Sequence, residues 1–298
     1  MIKVLLVEAN EIDARAACSM LLEEKDIHVT HVEKLSSALR RLSRESFDVI
    51  LLYGDLIDTH GLNVMDLLQA ALARMPIVML TDQQDVRKER QAIQRGIQDV
   101  IIKRQWTAGQ LVRSVRHAVD RKQAEQHLSY LAQYDPLTAL ANRALFRDRL
   151  VHALAAAKRK KQEVGLLLLG IDQFSSLAMT IGTDGCDEVL KETAERLKKC
   201  TREVDTVARL EGDEFTCLLE GINCRSDMEI IAKRIVDSMA QPFAVKGETV
   251  TLTSSIGLAL YPLDGQQADE LMQKAQSALN AVHEAGGANY RFPEAPEK

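Results

Sequence analysis

The sequence predicts an α/β protein in two parts: a five-stranded parallel, doubly wound domain and an α+β domain, joined by a long helix. Three observations lead to this fold class. Residues 1–106 alternate short β-branched runs with longer helical patterns. Residues 107–134 form a helical stretch without proline. Residues 135–298 mix strands with four long helical patterns.

Five apolar runs of the first domain are predicted strands: KVLLVE, HVTHVE, FDVILLY, PIVMLT and DVIIK. Four helical patterns separate them: DARAACSMLLEE, SSALRRLSRE, NVMDLLQAALAR and DVRKERQAIQRG. Strands that are apolar along nearly their whole length are typical of a parallel sheet with helices on both faces. The alternation therefore predicts a doubly wound sheet.

The connecting helix is apolar at both ends and polar in its centre. Leu111, Val115 and Ala118 follow a 4-then-3 spacing. Leu128 and Leu131 resume it after the polar stretch DRKQAEQH. Because this spacing approaches a heptad pattern, we expect a two-stranded coil and therefore a homodimer.

The second domain begins where Tyr134-Asp135-Pro136 ends the helix. Its predicted strands are VGLLLLGI, TVARL, FTCLLE and VTLTSSIGLAL. Its predicted helices are RALFRDRLVHALAAAKRK, CDEVLKETAERLKK, MEIIAKRIVDSMA and ADELMQKAQSALNAVHEA.

An acidic hairpin lies near the middle of this domain. The stretch RLEGDEF, residues 209–215, joins two β-like runs at Glu211-Gly212. Glu211, Asp213 and Glu214 place three carboxylates at its tip. Such a turn can hold a divalent metal and, through it, a nucleotide phosphate, or it can be a solvated hairpin.

The composition argues against several classes of function. The 298 residues carry a net charge of −5 and 4% aromatic residues, which disfavours a nucleic-acid partner. No apolar run approaches the roughly 20 residues that span a bilayer, so we expect no membrane partner. The five cysteines include no C-x-x-C pair, which favours reduced thiols and a cytoplasmic protein.

Residues 1–120 resemble a response-regulator receiver domain, which has a flavodoxin-like fold. The strand FDVILL, the position of Gly61, and the strands PIVMLT and DVIIK carry this resemblance. It implies an aspartate at the end of the third strand that takes a phosphoryl group from a histidine kinase. It also implies acids after the first strand that hold Mg²⁺, and a Thr or Ser and a Lys that respond to the phosphate.

The phosphoryl acceptor of that family is missing here. Tyr53 stands at its position, eight residues before Gly61. A phenol with a pKa of about 10 is a poor substitute for a carboxylate. Asp55 takes the acceptor role only in an alternative register, which breaks the Gly61 spacing.

The other phosphorylation residues are partly kept. The acid pair after the first strand is Glu8-Ala9, so one metal ligand is absent. Thr81 and Lys103 remain at the readout positions. We therefore predict a docking or dimerisation module in which Lys103 pairs with Glu8.

Residues 135–298 resemble the GGDEF domain of diguanylate cyclases, which has a nucleotidyl-cyclase-like fold. DPLTALANR matches the entry motif of that family, and ARLEGDEF matches its signature hairpin. TSSIGLALYP and SALNAVHEAGG match its later strand and its last helix. The resemblance implies condensation of two GTP molecules into cyclic di-GMP, with metal ions bridging the phosphates.

The metal and base positions implied by this resemblance are only partly kept. The metal-binding positions are Gly170, Asp172 and Asp213, so one carboxylate is gone. The guanine-reading positions are Ala178 and Asp187, so an amide has become a methyl. Because fewer charged ligands weaken divalent binding, we expect no cofactor, with Mg²⁺ only if the site is active.

Further departures surround the implied triphosphate. His283 and Gly287 replace a lysine and an arginine of the family's last helix, and Ser175 replaces another lysine. Glu211 replaces the first glycine of the signature, beside Gly212. These losses predict that the domain does not catalyse the reaction and that GTP binds weakly or not at all.

The acids that remain leave two interpretations open. Asp213 and Glu214 are the remnant catalytic candidates, and Asp213 is a weak metal candidate. With Asp172 and Asp187 they mark a remnant nucleotide site. Alternatively, these carboxylates are solvated or cap local structure.

One ligand motif of the family is intact. Arg202 and Asp205 form the R-x-x-D pair that, in many members, is an inhibitory site for cyclic di-GMP. The arginine forks onto phosphate or guanine, and the aspartate accepts from guanine. Lys233 or Arg234 is a candidate second cation. A helix-end arginine and a turn aspartate are the structural alternative.

Three functions follow from these residues. The first is a signalling protein whose non-catalytic GGDEF domain responds to cyclic di-GMP. The second is an active diguanylate cyclase with an unusual site. The third is a protein-interaction scaffold that binds no nucleotide.

Overall fold

The computed structural model describes residues 1–53, 75–82, 85–103 and 106–294. The chain divides into two compact units, Met1–Leu128 and Ser129–Lys298. The predicted helix NVMDLLQAALAR and the positions Asp55 and Gly61 lie outside the described residues.

The first unit is built on a five-stranded sheet in which every pairing is parallel. The strand order is β2-β1-β3-β4-β5. This confirms the predicted doubly wound sheet. The strands are β1 (Ile2–Val7), β2 (Ile27–Val32), β3 (Val49–Tyr53), β4 (Ile77–Thr81) and β5 (Asp99–Ile102).

Helices cover both faces of this sheet. On one face, Leu21 and Leu111 pack with the core of the strands, while Ala38 packs on the other. The helices among the residues that the structure describes in this unit are α1 (Glu11–Leu22), α2 (Leu35–Leu42), α3 (Val86–Gln94) and α4 (Ala108–Gln133).

The two ends of α4 have different surroundings. Leu111, Val115 and Ala118 are buried in the core of the first unit. Leu128 is 67% exposed and Leu131 39% exposed. The first apolar cluster of the predicted coil therefore packs inside the first unit, and the second cluster remains exposed.

The second unit is built on another five-stranded sheet, in the order β12-β11-β6-β8-β7. Its strands pair antiparallel except for β11 with β12. A separate two-stranded hairpin consists of β9 (Phe243–Val245) and β10 (Glu248–Val250). The sheet strands are β6 (Glu163–Ile171), β7 (Thr206–Glu211), β8 (Glu214–Ile222), β11 (Ser254–Tyr261) and β12 (Tyr290–Arg291).

Two helices pack on each face of the second sheet. On one face, Phe146 and Leu271 enter the core, and on the other Val189 and Ile231 do so. The first pair of helices is α5 (Arg143–Lys160) and α8 (Ala268–Glu284). The second pair is α6 (Phe174–Lys199) and α7 (Arg225–Met239).

The start of α6 differs from the sequence prediction. The helix begins at Phe174, not at Cys186, and Gly182 interrupts it with φ 71° and ψ 177°. Ser175, Ala178 and Met179 are exposed in the segment before that break. Phe174, Leu177 and Ile181 are half-buried against the core at an i, i+3, i+7 spacing, so this segment carries two turns of helical pattern that the predicted helix did not include.

Candidate functional site

A buried charged cluster lies at the carboxyl edge of the first sheet. Lys103 forms an ion pair with Glu8, as predicted, and its Nζ lies 2.8 Å from Oδ2 of Asp13. Burial alone would lower the pKa of Lys103. Hydrogen bonds and charges from Asp13 and Glu8 outweigh burial and raise that pKa above its ordinary value.

Tyr53 ends β3 beside this cluster. The Lys103 ammonium lies 3.5 Å from the centre of the Tyr53 ring. The Tyr53 hydroxyl donates a hydrogen bond to Oδ2 of Asp82. The phenol ring is therefore held between a cation and a carboxylate. Thr81, the other predicted readout position, ends β4 and is half-buried.

The signature hairpin turns at Gly212-Asp213, one residue later than the sequence predicted. Gly212 has a φ of 53°, in the left-handed region that favours glycine. Glu211 is exposed, with Oε2 at 3.6 Å from Nη2 of Arg143. Within the described ranges, the carboxylates of Asp213 and Glu214 have no hydrogen bond or ion pair.

Arg209 ties this turn to the entry motif. Its Nη1 lies 3.1 and 3.2 Å from the two carboxylate oxygens of Asp135. Its Nε and Nη2 donate to the carbonyl of Gly212 at 2.9 and 2.7 Å. One guanidinium therefore bridges two segments that are distant in sequence.

The Asp135 carboxylate has further donors. Its Oδ1 accepts from the backbone N and the Oγ1 of Thr138, at 2.9 and 2.6 Å. Burial alone would raise the pKa of Asp135. The hydrogen bonds from Thr138 and Arg209, and the charge of Arg209, lower that pKa below its ordinary value.

Asp172 follows β6 and is surrounded by donors from the protein itself. Its Oδ2 accepts from Oγ1 of Thr253 at 2.6 Å and from the backbone N of Ala288 at 3.0 Å. Its Oδ1 accepts from Oγ of Ser255 at 2.6 Å. Only 11% of the side chain is exposed, so both oxygens are engaged inside the domain.

His283, on α8, lies beside Asp172. Its Nε2 is 3.3 Å from Oδ1 of that carboxylate. A β-carbon placed on Gly170 would stand 3.2 Å from Cε1 of His283. One placed on Gly287 would stand 2.8 Å from Oδ2 of Asp172. His283 and Asp172 therefore fill the space that side chains at the two glycines would need.

The predicted base-reading positions lie on α6. Ala178 is exposed in the segment before the break at Gly182, and Asp187 is half-buried after it. In the part of the chain that the structure describes, the Asp187 carboxylate has no hydrogen bond or ion pair. Ala178 offers no polar group to a base.

Arg202 and Asp205 form a turn between α6 and β7. Oδ2 of Asp205 accepts from the backbone N of Arg202 at 2.7 Å, and Oδ1 accepts from the backbone N of Glu220 at 3.2 Å. Asp205 therefore stabilises this turn, while the Arg202 side chain is exposed. Arg234, a candidate second cation, donates from Nη2 to the carbonyl of Cys200 at 2.6 Å.

A cleft of about 420 Å³ lies beside this turn. Its lining includes Tyr134, Arg149, Lys198, Arg202 and Asp205. This volume falls within the range of about 300–1,000 Å³ that is typical of small-molecule sites.

Several residues that form hydrogen bonds or ion pairs in these clusters were not predicted from the sequence as site residues. Asp13 and Asp82 lie outside the positions that the receiver resemblance marks. Thr253 and Ser255 lie near the start of β11, where alternate residues point to one face of the sheet. Two hydroxyls on one face of a strand indicate a polar partner such as a carboxylate, but this pattern does not identify Asp172 as that partner.

Among the described residues there is neither a cluster of side chains placed to bind a metal ion nor a helix able to span a membrane. No group of three or more His, Cys, Asp or Glu side chains in those ranges is arranged to hold a metal ion. No helix among the same residues is both long and apolar enough to cross a bilayer.

Comparison with protein families matches both units. The family described as "Diguanylate cyclase, GGDEF domain" matches residues 132–289. The family described as "Response regulator receiver domain" matches residues 4–116.

Curated relatives match a little over half of the chain. The cyclic di-GMP phosphodiesterase NbdA of Pseudomonas aeruginosa is 34% identical over 169 residues, which are 57% of this chain and 22% of NbdA. The diguanylate cyclase TpbB of the same organism is 34% identical over 168 residues, which are 56% of this chain and 39% of TpbB. The chain therefore spans well under half the length of these two relatives.

Solved structures agree with this fold. The GGDEF domain of TpbB from Pseudomonas aeruginosa has a TM-score of 0.53 at 34% identity, covering 54% of this chain and 94% of that one. The GGDEF domain of DgcB from Caulobacter crescentus, solved in complex with c-di-GMP, has a TM-score of 0.52 at 26% identity. It covers 55% of this chain and 94% of that one.

Proposed function

Because the chain belongs to the GGDEF-domain family of diguanylate cyclases and carries a response-regulator receiver domain before it, we propose that it is a cyclic di-GMP-responsive signalling protein without cyclase activity. One contrast carries this proposal. The space beside Gly170 is filled by His283, whereas Arg202 remains exposed next to an open cleft. Similarity to TpbB, to NbdA and to the DgcB domain solved with c-di-GMP supports a role in cyclic di-GMP signalling.

The residues of this chain do not fit the Mg²⁺ that the family implies. Gly170 supplies no oxygen, and Asp172 already accepts three hydrogen bonds from Thr253, Ser255 and Ala288. The imidazole of His283 stands against the same carboxylate. A hard cation needs oxygen ligands that are free to turn toward it. Asp172 meets this requirement poorly, and we derive no metal-dependent step.

In this proposal Arg202 is the main contact of the ligand. A guanidinium offers a fork of N–H donors that matches two phosphate oxygens or the edge of guanine. Asp205 gives one lone pair on each oxygen to a backbone N–H, which leaves the second lone pairs for a guanine donor. Arg202 is the cleaner position for mutation, because Asp205 also holds the turn.

The first unit acts in this proposal as a docking or dimerisation module. Lys103 pairs with Glu8 and Asp13 and lies against the ring of Tyr53, the residue that we place at the acceptor position. The exposed Leu128 and Leu131 favour association of two chains through α4. Both features are compatible with signalling by rearrangement of a dimer.

An active cyclase is the second candidate function. The unpaired carboxylates of Asp213 and Glu214, and the similarity to a relative named as a diguanylate cyclase, favour it. A third candidate, a scaffold that binds no nucleotide, predicts neither turnover nor binding.

Two measurements on one preparation separate the three functions. The chain is incubated with GTP and either Mg²⁺ or Mn²⁺, and the products are resolved by chromatography. We expect no cyclic di-GMP above background. Turnover of about 1 s⁻¹ or more, in the range of ordinary enzymes, would identify the active cyclase. A cyclic di-GMP titration of the same preparation then separates the receptor from the scaffold.

A further inference from the structure

Three cationic side chains converge on the cleft beside the Arg202 turn. Arg149 comes from α5, Lys198 from the last turn of α6, and Arg202 from the turn that follows. Neither Lys233 nor Arg234 lines this cleft, and Arg234 is bonded to the Cys200 carbonyl. The candidates for a second cation beside Arg202 are therefore Arg149 and Lys198, and not Lys233 or Arg234 as the sequence suggested.

Arg149 is fixed along one edge and open along the other. Its Nη1 donates to Oγ1 of Thr206 at 3.2 Å. Among the residues that the structure describes, the side chains of Arg149 and Arg202 form no ion pair. A guanidinium that is oriented by one neutral hydrogen bond retains its charge and most of its donors for an anion.

Lys198 has a weak competitor for its charge. Its Nζ lies 3.1 Å from Oε1 of Glu195, with the two side chains 44% and 55% exposed. Exposed ion pairs of this kind contribute little to stability, so a phosphate can replace Glu195 at little cost.

Two acids also line the cleft, Glu203 and Asp205. Asp205 is hydrogen-bonded to backbone N–H groups, and Glu203 is exposed. Three cations against these two acids leave one positive charge in excess at the cleft. The C-terminus of α6 lies at this cleft, and its last carbonyl groups carry partial negative charge. An anion bound here therefore needs more than a single arginine to offset that charge.

The aromatic wall of the cleft suits a nucleotide better than a simple ion. Tyr134 lines the cleft and stacks on Tyr130, with ring centres 4.9 Å apart and planes at 15°. Tyr134 is therefore an aromatic ring held in place by Tyr130 at the wall of the cleft, where a base can contact it.

We infer that Arg149 and Lys198, together with Arg202, form one phosphate-binding cleft for a phosphodiester-linked guanine nucleotide. This inference rests on the proposed function and adds two residues to it. Arg149 and Lys198 hold phosphate oxygens that Arg202 does not reach alone. Affinity then depends on all three cations.

Calorimetric titration with cyclic di-GMP tests this inference in the full chain. Arg149→Ala and Lys198→Ala should each weaken binding about tenfold or more, since each removes a hydrogen bond to a charged group. Arg159→Ala and Lys199→Ala are the matched controls. They remove the same charge from exposed positions on the same two helices, outside the cleft, and should change affinity less than about threefold.

A second readout separates binding from structure. All four residues are exposed and Arg149 gives only one hydrogen bond to Thr206, so the melting temperatures of the variants should lie within about 4 °C of the wild type. Binding by Arg149→Ala and Lys198→Ala should also depend less steeply on salt than binding by the wild type. Equal affinities in cleft and control variants, with binding still lost in Arg202→Ala, would overturn this inference alone. No binding by the wild type would overturn the proposed function as well.

Discussion

His283 occupies the space that a side chain on Gly170 would need: a β-carbon there would stand 3.2 Å from the imidazole Cε1 atom. Real β-carbons rarely come so close to a neighbour, so one of the two groups would have to shift. The glycine at position 170 and the histidine at position 283 are thus physically linked. A larger residue at position 170 therefore needs a change at position 283 to make room for its side chain.

A double-mutant cycle tests this link. Adding one methyl at a strand glycine, as in Gly170→Ala, ordinarily stabilises a protein by about 0.5–1 kcal/mol. With His283 present, we expect no gain or a loss of about 1 kcal/mol from crowding. In the His283→Ala background the gain should return. Urea unfolding of the four proteins gives the coupling energy, and a value near zero would refute the contact.

The receiver unit should resist phosphorylation. Tyr53 is a phenol whose ring lies against Lys103, and Lys103 also pairs with Glu8 and Asp13. We expect no phosphate adduct after incubation with acetyl phosphate and Mg²⁺, as measured by intact mass. A stoichiometric adduct on Asp55 would show that the register placing Tyr53 at the acceptor position is wrong.

The Asp135–Arg209 pair should make the free energy of unfolding depend on pH in the acidic range. Since the folded-state pKa of Asp135 is lowered, its contribution is complete above the unfolded pKa of about 3.9 and is lost as pH falls through the folded pKa. We expect Asp135→Asn to cost about 1–3 kcal/mol at pH 7. The difference from wild type should shrink below about pH 4.

A matched control for that prediction is Asp184→Asn, because the Asp184 side chain is 89% exposed. It should leave the free energy of unfolding nearly unchanged at every pH. If both variants showed the same pH profile, Asp135 would not be the group that titrates.

The exposed end of α4 should hold two chains together. Light scattering at tens of micromolar should give the mass of a dimer, because Leu128 and Leu131 offer apolar surface at heptad-like spacing. Leu128→Glu with Leu131→Glu should shift the mass toward a monomer. Ile230→Glu, at a site on α7 that is 65% exposed, should not. A monomeric wild type would count against this association.

Local patterns predicted most of the fold. The helix Arg143–Lys160 matches the predicted segment residue for residue, and the apolar run VGLLLLGI forms most of β6. Both elements contribute many core residues, so their hydrophobic patterns are strong. The segment before Gly182 has a shorter pattern, in which Phe174, Leu177 and Ile181 follow helical spacing over only two turns, and the predicted helix did not include it.

The site was less predictable than the fold, because its contacts join distant parts of the chain. Arg209 meets Asp135 across 74 positions, and Tyr53 meets Asp82 across 29. Motif positions located Gly170 and His283 separately, but the sequence did not reveal that they share one space. Similarly, the sequence suggested Lys233 or Arg234 as a second cation, whereas the folded chain brings Arg149 and Lys198 to the cleft.

The most direct test of the central proposal is calorimetric titration of the whole chain with cyclic di-GMP and, separately, with GTP. We predict binding of cyclic di-GMP that weakens with salt and is weakened about 30- to 150-fold by Arg202→Ala, which corresponds to about 2–3 kcal/mol. Arg202→Lys should not restore it, since an ammonium lacks the guanidinium fork. GTP should bind weakly or not at all. Absence of cyclic di-GMP binding at high micromolar ligand, or binding that Arg202→Ala leaves unchanged, would contradict the proposal.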